Sequence, residues 1–329
     1  MTNFDFTYDQ SDQGLEGRFS WKNSYSKIFE SYYLAVELYQ SGDINKALNK
    51  FRYILKNNND FVPALNELGW HFTEHRNFQK AKKYYKLALE YCQSKIPISF
   101  KGIIPWHYLE NRHYLRTLQG FGVMYIHEFQ FQEGLELLEK NLALNPNDNQ
   151  GIRYLLGDVY LLLNDQTNSE RFFNECLDYS PYRYSYGVLL FNQRKYIDSI
   201  IQFSRGILED EFIYKVIAKK EMDSQLIENY KISCDIDDAL SYHSLTLPLW
   251  FDRKLKNFLN QIYDCDLFQI YREEVEKMKK KSEFSTEVKT IKIEHIVKRK
   301  RTLIAIEDYK KIMDSEFADR IYQQIKNKF

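Results

Sequence analysis

Val62-Pro-Ala-Leu-Asn-Glu-Leu-Gly-Trp-His-Phe72, followed by Ala81-Lys-Lys-Tyr-Tyr-Lys-Leu-Ala-Leu-Glu-Tyr-Cys-Gln93, is the stretch that decides the fold. Its apolar residues recur at spacings of three and four, the period of an amphipathic helix. Leu65, Leu68, Gly69 and Phe72 fall on one face of a first helix. Ala81, Tyr84, Tyr85, Ala88 and Leu89 fall on one face of a second. Between them Glu74-His75-Arg76-Asn77 supplies a polar turn, with Asn77 placed to cap the second helix. The pattern predicts a helix hairpin with one apolar side.

The same hairpin recurs along the chain. A step of 34 residues, the period of a known helical repeat, carries Leu68 to Leu34, Gly69 to Ala35, Ala81 to Ala47 and Tyr85 to Phe51. Further copies carry Phe121, Gly122, Gly134 and Leu138, then Leu156, Gly157, Ser169 and Phe173, then Tyr186, Gly187, Ser199 and Phe203. Pro146 and Pro181 close two of these units, and Ser41-Gly42-Asp43, Asn164-Asp165 and Gln193-Arg194 read as turns. A glycine inside a helix costs about 1 kcal/mol against alanine, so its recurrence needs a reason. Small residues at matched places on both helices let their backbones approach. Bulky Leu34, Leu68, Phe121, Leu156 and Tyr186 are expected to fill the space beside each approach.

These residues and this spacing resemble the tetratricopeptide (TPR) repeat. Pro146-Asn-Asp-Asn-Gln-Gly-Ile-Arg-Tyr154 is also similar to a stretch of bacterial TPR proteins without an assigned activity. The resemblance implies an all-α, right-handed TPR-type α-solenoid of about five helix hairpins. It further implies a concave side lined by the first helix of each hairpin.

The expected organisation has four parts. Residues 1–22, polar and carrying Gly14 and Gly17, read as a flexible N-terminal tail. Residues 23–213 form the repeat array, with an insertion at 93–111 that Pro97 and Pro105 keep from being one helix. Its Ile96, Ile98, Phe100, Ile103, Ile104 and Trp106 are too apolar for a solvated loop and suit either a packed plug or a lid. Residues 214–281 read as capping helices, including a short one from Asp235 and a longer one from Leu249 to Lys281. Residues 282–329 form a basic section. Val288, Ile291, Ile293, Val297 and Leu303 to Ile306 fit either a short β-hairpin or a helix, and an amphipathic helix starts at Ser315.

Composition narrows the function. The formal net charge is zero, which gives no warrant for a nucleic-acid partner, although from Ile270 onward cations outnumber anions 16 to 11. The run Lys298-Arg-Lys-Arg301 lacks interleaved aromatics. No stretch approaches the roughly 18 apolar residues of a membrane span, and the start lacks the pattern of a signal peptide. Cys92, Cys176, Cys234 and Cys265 make neither a metal spacing nor a disulfide framework, which suits a reducing cytoplasm. His71-Phe-Thr-Glu74-His75 matches the H-x-x-E-H spacing of one zinc-protease class, but no third ligand is identifiable. Neither a phosphate-cradling loop nor a nucleophile motif is present, so no catalysis, metal or cofactor is expected.

What remains is the groove. Residues one place beyond the packing pair should face it: Tyr32, Val36 and Tyr39, Asn66, Trp70 and Thr73, Arg116, Gln119, Val123 and Ile126, Tyr154, Asp158 and Leu161, then Tyr184, Val188 and Phe191. Tyr32, Tyr39, Asn66, Trp70, Arg116, Gln119, Tyr154, Asp158 and Phe191 are the candidate binding residues. TPR proteins that clamp a terminal carboxylate use Lys, Arg and Asn on successive first helices. Here Tyr32 and Val36 stand at the opening clamp places, so an apolar or aromatic peptide, or a helix, fits better. The expected function is a protein-interaction scaffold. Alternatives are a ligand-sensing regulator with the insertion as lid, and an enzyme whose activity lies in the C-terminal region.

Overall fold

A turn chemistry repeated in four places spaces the helices. Arg76, Phe129, Asn164 and Arg194 each adopt a positive φ between 53° and 62° just after a helix, and a new helix follows at once. The computed structural model describes residues 4–12, 14–21, 26–176, 178–219, 235–284 and 315–328. It divides into two units, Met1–Val159 and Tyr160–Phe329.

The first unit holds the hairpins α1 (Ser26–Gln40) with α2 (Ile44–Asn57), α3 (Val62–Glu74) with α4 (Phe78–Gln93), and α5 (Asn111–His127) with α6 (Phe131–Leu144). The helix α7 (Arg153–Leu162) spans the boundary. Asn77 caps α4 by accepting the Lys80 N–H at 3.3 Å. The recurring small residues lie where close approach requires them. A Cβ on Gly69 would stand 2.8 Å from the Tyr85 ring, and one on Gly122 3.0 Å from Leu138. Ala47 and Ala81 are fully buried on the facing helices.

Leu34 breaks the pattern. It is 47% exposed, whereas its equivalents Leu68, Phe121 and Leu156 are buried. Leu68 belongs to the cluster formed by Ala47, Leu48, Phe51 and Ile54 of α2. A residue at this place is thus covered by the preceding helix hairpin, and among the described residues no helix precedes α1.

The flexible tail expected at residues 1–22 is corrected. Phe4–Ser11 (β1) and Gly14–Trp21 (β2) pair as an antiparallel hairpin in the register Phe4↔Trp21, Phe6↔Phe19. Phe4, Phe6 and Tyr8 alternate with Asp5, Thr7 and Asp9, the period-2 pattern of a strand with one packed face. Phe4 and Phe19 are buried with Val62, Leu65, Cys92, Phe100, Ile104, Tyr114 and Leu118. Gly17 marks a close approach: a Cβ there would fall 2.2 Å from the Phe6 ring.

The insertion is packed against this hairpin. Ile103 N–H donates to the Leu15 carbonyl at 2.9 Å, and Gly17 N–H to the Ile103 carbonyl at 2.8 Å. Gly102 passes so near that a Cβ would lie 1.9 Å from the Leu15 carbonyl oxygen. Asn111, fully buried, accepts the Phe19 N–H at 2.9 Å and donates to the carbonyls of Gly17 and Pro105. Ile98 alone of the insertion's apolar residues is almost wholly exposed.

The second unit carries α8 (Gln166–Glu175), α9 (Ser180–Asn192) and α10 (Tyr196–Glu209). Gly187 meets the Phe203 ring, with a Cβ falling 2.7 Å away, and Ser199 donates to the Gly187 carbonyl at 2.7 Å. Beyond them lie α11 (Glu211–Ala218), α12 (Asp235–Thr246), a 3-10 turn (Leu247–Phe251), α13 (Arg253–Tyr263), α14 (Asp266–Phe284) and α15 (Ser315–Ile325). The single helix expected from Leu249 to Lys281 is therefore split. Asp252 caps α13 by accepting the N–H groups of Lys254 and Leu255, and the chain breaks again between Tyr263 and Asp266. Leu255, Phe258, Leu259 and Ile262 form the buried side of α13. The segment for which a β-hairpin or a helix stood open, including Lys298–Arg301, lies outside the described residues, as does Cys234.

Candidate functional site

The first helices α1, α3 and α5 bring together Tyr32, Tyr39, Asn66, Trp70, Arg116 and Gln119. Helical phase alone aligns these residues, and the side chains then divide into two groups. Most of them tie one helix to the next. Tyr32 is buried and donates to Glu67 Oε1 at 2.8 Å, joining α1 to α3. Tyr39 Oη donates to Glu74 Oε2 at 3.1 Å and lies 3.1 Å from His71 Nδ1. Asn66 donates to the His113 carbonyl at 2.9 Å and accepts from Thr117 Oγ1 at 2.8 Å, joining α3 to α5. Gln119 accepts from Gln150 Nε2 at 2.7 Å. Tyr154 is half-buried and Asp158 buried.

Two candidates remain open to solvent. Trp70 is 42% exposed and belongs to none of the buried clusters of this unit. Arg116 is exposed, its guanidinium 5.5 Å from the centre of the Trp106 ring. Arg112 approaches the same ring at 5.1 Å and donates from Nε to the Trp106 carbonyl at 3.0 Å. Trp106 comes from the insertion, so the insertion supplies a wall of the arginine pair.

The electrostatics of the face follow from burial. Desolvation raises the Glu67 carboxyl above its ordinary value, opposed by the Tyr32 hydrogen bond and by the charge of Arg116. Desolvation likewise raises the Tyr32 and Tyr39 phenols, with the neighbouring carboxylates adding to it. His113 is pushed down to about 3 by desolvation, then by Arg116 and Arg112. His71 is lowered by desolvation and by His75. His75 donates from Nδ1 to the His71 carbonyl at 2.8 Å, and the two rings lie 4.2 Å apart. This is how the H-x-x-E-H pentad is disposed. Among the described residues no three His, Cys, Asp or Glu side chains form a group able to hold a metal ion.

Phe191 has a different environment. It lies in the second unit, its ring 5.0 Å from Phe258 of α13 and 5.6 Å from Tyr196. On the same helix Ser185 hydrogen-bonds Tyr242 of α12 at 2.7 Å, and Tyr184 lies 6.4 Å from the Tyr242 ring. The α9 face is filled by helices of the chain itself. Glu67, Trp106 and His113 were missed in the sequence. Glu67 adjoins the packing Leu68 and reads as a solvated charge, while Trp106 sits in an insertion that the repeat phase cannot place.

Residues 151–183, covering α7, α8 and the start of α9, match the tetratricopeptide repeat family model. The match is to one repeat, and it falls on one of the helix hairpins that the spacing predicts. Among solved structures it is similar to one described as a functional characterization of Pseudomonas aeruginosa pilF. That match has 16% identity, covers 69% of this chain and 93% of the other, and has a TM-score of 0.41. It is also similar to a chain in the structure of Naa15/Naa10 bound to HypK-THB, at 12% identity and a TM-score of 0.37, covering 90% of this chain and 42% of that one. No curated protein matches the sequence. Among the described residues no helix is long and apolar enough to cross a membrane.

Proposed function

We propose that the protein is a non-catalytic interaction scaffold holding a peptide or helix of another protein on the α1–α3–α5 face. The observation that carries the reading is the exposure of Trp70 beside a network that fixes the surrounding helices. Indole and guanidinium groups supply much of the energy at protein interfaces, and both are present here. Tyr32, Tyr39, Asn66 and Gln119 hold the helices in register, and Trp70 and Arg116 make the contact. Half-buried Tyr154 extends the same surface, and buried Asp158 lies beneath it. A helix with aromatic or aliphatic residues suits this face, because the α9 face of the same chain is filled by helices bearing Tyr242 and Phe258. The three described cysteines, Cys92, Cys176 and Cys265, are buried and in no disulfide, and a cytoplasmic location fits them.

The test compares captured proteins for the wild type and Trp70→Ala by affinity purification from the native host and mass spectrometry. A polypeptide retained by the wild type and lost by the folded variant supports the reading. Retention by both removes Trp70 from the site.

A further inference from the structure

The first hairpin leaves open a face that the rest of the array covers. Tyr33 is 61% exposed beside Leu34, and both lie on the outer stripe of α1 with exposed Glu30 and Glu37 one turn to either side. At the equivalent place in the next unit Leu68 is sealed by α2, the second helix of the preceding hairpin. The β1–β2 hairpin does not do this for α1, because Phe4 and Phe19 are buried among residues of α3, α4, α5 and the insertion. A repeat array whose end face stays wet pays the full hydration of that face, so such ends are ordinarily covered.

What can cover it is written on α2. That helix exposes Tyr53 between Arg52 and Lys56, with Lys46 and Asn49 continuing the stripe at helical spacing. Lys46 pairs with Asp43 at 2.8 Å, but Glu30, Glu37, Arg52 and Lys56 form no ion pair among the described residues. One hairpin thus carries an acidic stripe with an apolar centre and a basic stripe with an aromatic centre. We infer that a second copy of this chain covers α1: α1 of one copy lies along α2 of the other. Tyr33 and Leu34 then meet Tyr53, and Glu30 and Glu37 face Arg52 and Lys56. Pairing α1 with α1 instead would set carboxylate against carboxylate. The contact uses neither Trp70 nor Arg116, so it stands independently of the partner face.

The test is the mass of the full chain in solution, by light scattering on a sizing column across a concentration series. The wild type is expected to exceed the monomer mass at high concentration and to fall toward it on dilution or in high salt. Two charge variants, Glu30→Lys with Glu37→Lys and Arg52→Glu with Lys56→Glu, should each be monomeric alone. An equimolar mixture should associate again, because each supplies the complement of the other. Leu34→Glu should be monomeric throughout. All the substituted residues are exposed, and unchanged melting curves verify folding. If a variant melts early, the neutral pair Glu30→Gln with Glu37→Gln takes its place and should weaken association. A wild type that stays monomeric, association that survives either charge variant alone, or a mixture that fails to associate overturns the inference.

Discussion

Trp70 on α3 and Val188 on α9 occupy the same place in their repeats, one residue past the glycine of closest helix approach. Trp70 is 42% exposed and Val188 is buried. The two helices obey the same packing rule, shown by the Tyr85 ring under Gly69 and the Phe203 ring under Gly187. What differs is the side facing away from that contact. On α9 it receives Tyr242 and Phe258 from α12 and α13. On α3 no buried cluster claims the tryptophan. The repeat therefore dictates which side chains project, and the rest of the chain dictates whether they are used internally.

The strongest way to break this comparison is to empty the α9 face. Phe258 is fully buried against Phe191, Tyr196 and Phe203. Phe258→Ala should cost about 3–5 kcal/mol of stability, the usual cost of deleting a buried ring. Denaturant unfolding measures it. A loss below about 1 kcal/mol would mean that α13 rests on α9 without being held there.

A smaller effect comes from pH on the α3–α5 side. His113 stays neutral in the folded chain down to about 3, while in the unfolded chain it protonates near the ordinary imidazole value of 6.5. Between those values the unfolded state binds more protons, so stability rises with pH through the window and is lost on acidification. The loss should be on the order of a few kcal/mol and should shrink in His113→Gln. Melting curves between pH 4 and pH 7, roughly spanning that window, check the slope. A His113→Gln protein with the same slope would assign the acid sensitivity to other groups.

Trp70→Ala should leave folding within about 1 kcal/mol, since the side chain is in no buried cluster. Partner affinity should fall by about 2 kcal/mol, the loss expected of an interface anchor. A melt and a binding measurement on the same variant separate the two. An unfolded variant would show that Trp70 is structural and that the two faces are alike.

Much of this molecule could be read from spacing. The 3.6-residue period placed the hairpins, and the small residues Gly69, Gly122 and Gly187 marked the contacts, because a helix tolerates glycine only where something gains by it. The β1–β2 hairpin was present too, in the alternation of Phe4, Phe6 and Tyr8 with polar residues. Gly14 and Gly17 resemble tail glycines in sequence, although Gly14 serves a turn at φ 109° and Gly17 a ring contact. The candidate site was half legible. Phase selects the residues that project from a first helix, and of those Trp70 and Arg116 are exposed. It cannot say which will be consumed by neighbours, and Tyr32, Asn66 and Gln119 turned out to be bonded to residues 31 to 51 positions away. Phe191 failed for the same reason, since α13 reaches it from 67 positions further along, a separation the repeat period does not encode.

The smallest expected effect tests whether the network under Trp70 is as dry as its geometry implies. Tyr32 donates to Glu67, whose carboxyl is raised by desolvation and held back by that hydrogen bond and by Arg116. Tyr32→Phe removes the donor and leaves a partly buried carboxylate with only the arginine to stabilise it. The cost at neutral pH should be about 1–2 kcal/mol, the price of an unsatisfied buried acceptor. It should not be constant. Without the hydroxyl the folded-state pKa of Glu67 rises further, so the variant takes up a proton at a higher pH than the wild type does. As pH falls through that value the carboxyl becomes neutral and loses its need for the donor, and the deficit shrinks. Denaturant unfolding of both proteins at neutral and mildly acidic pH reads the difference. A deficit that is the same at both would show Glu67 to be well hydrated, and the α1–α3 link to be ordinary packing.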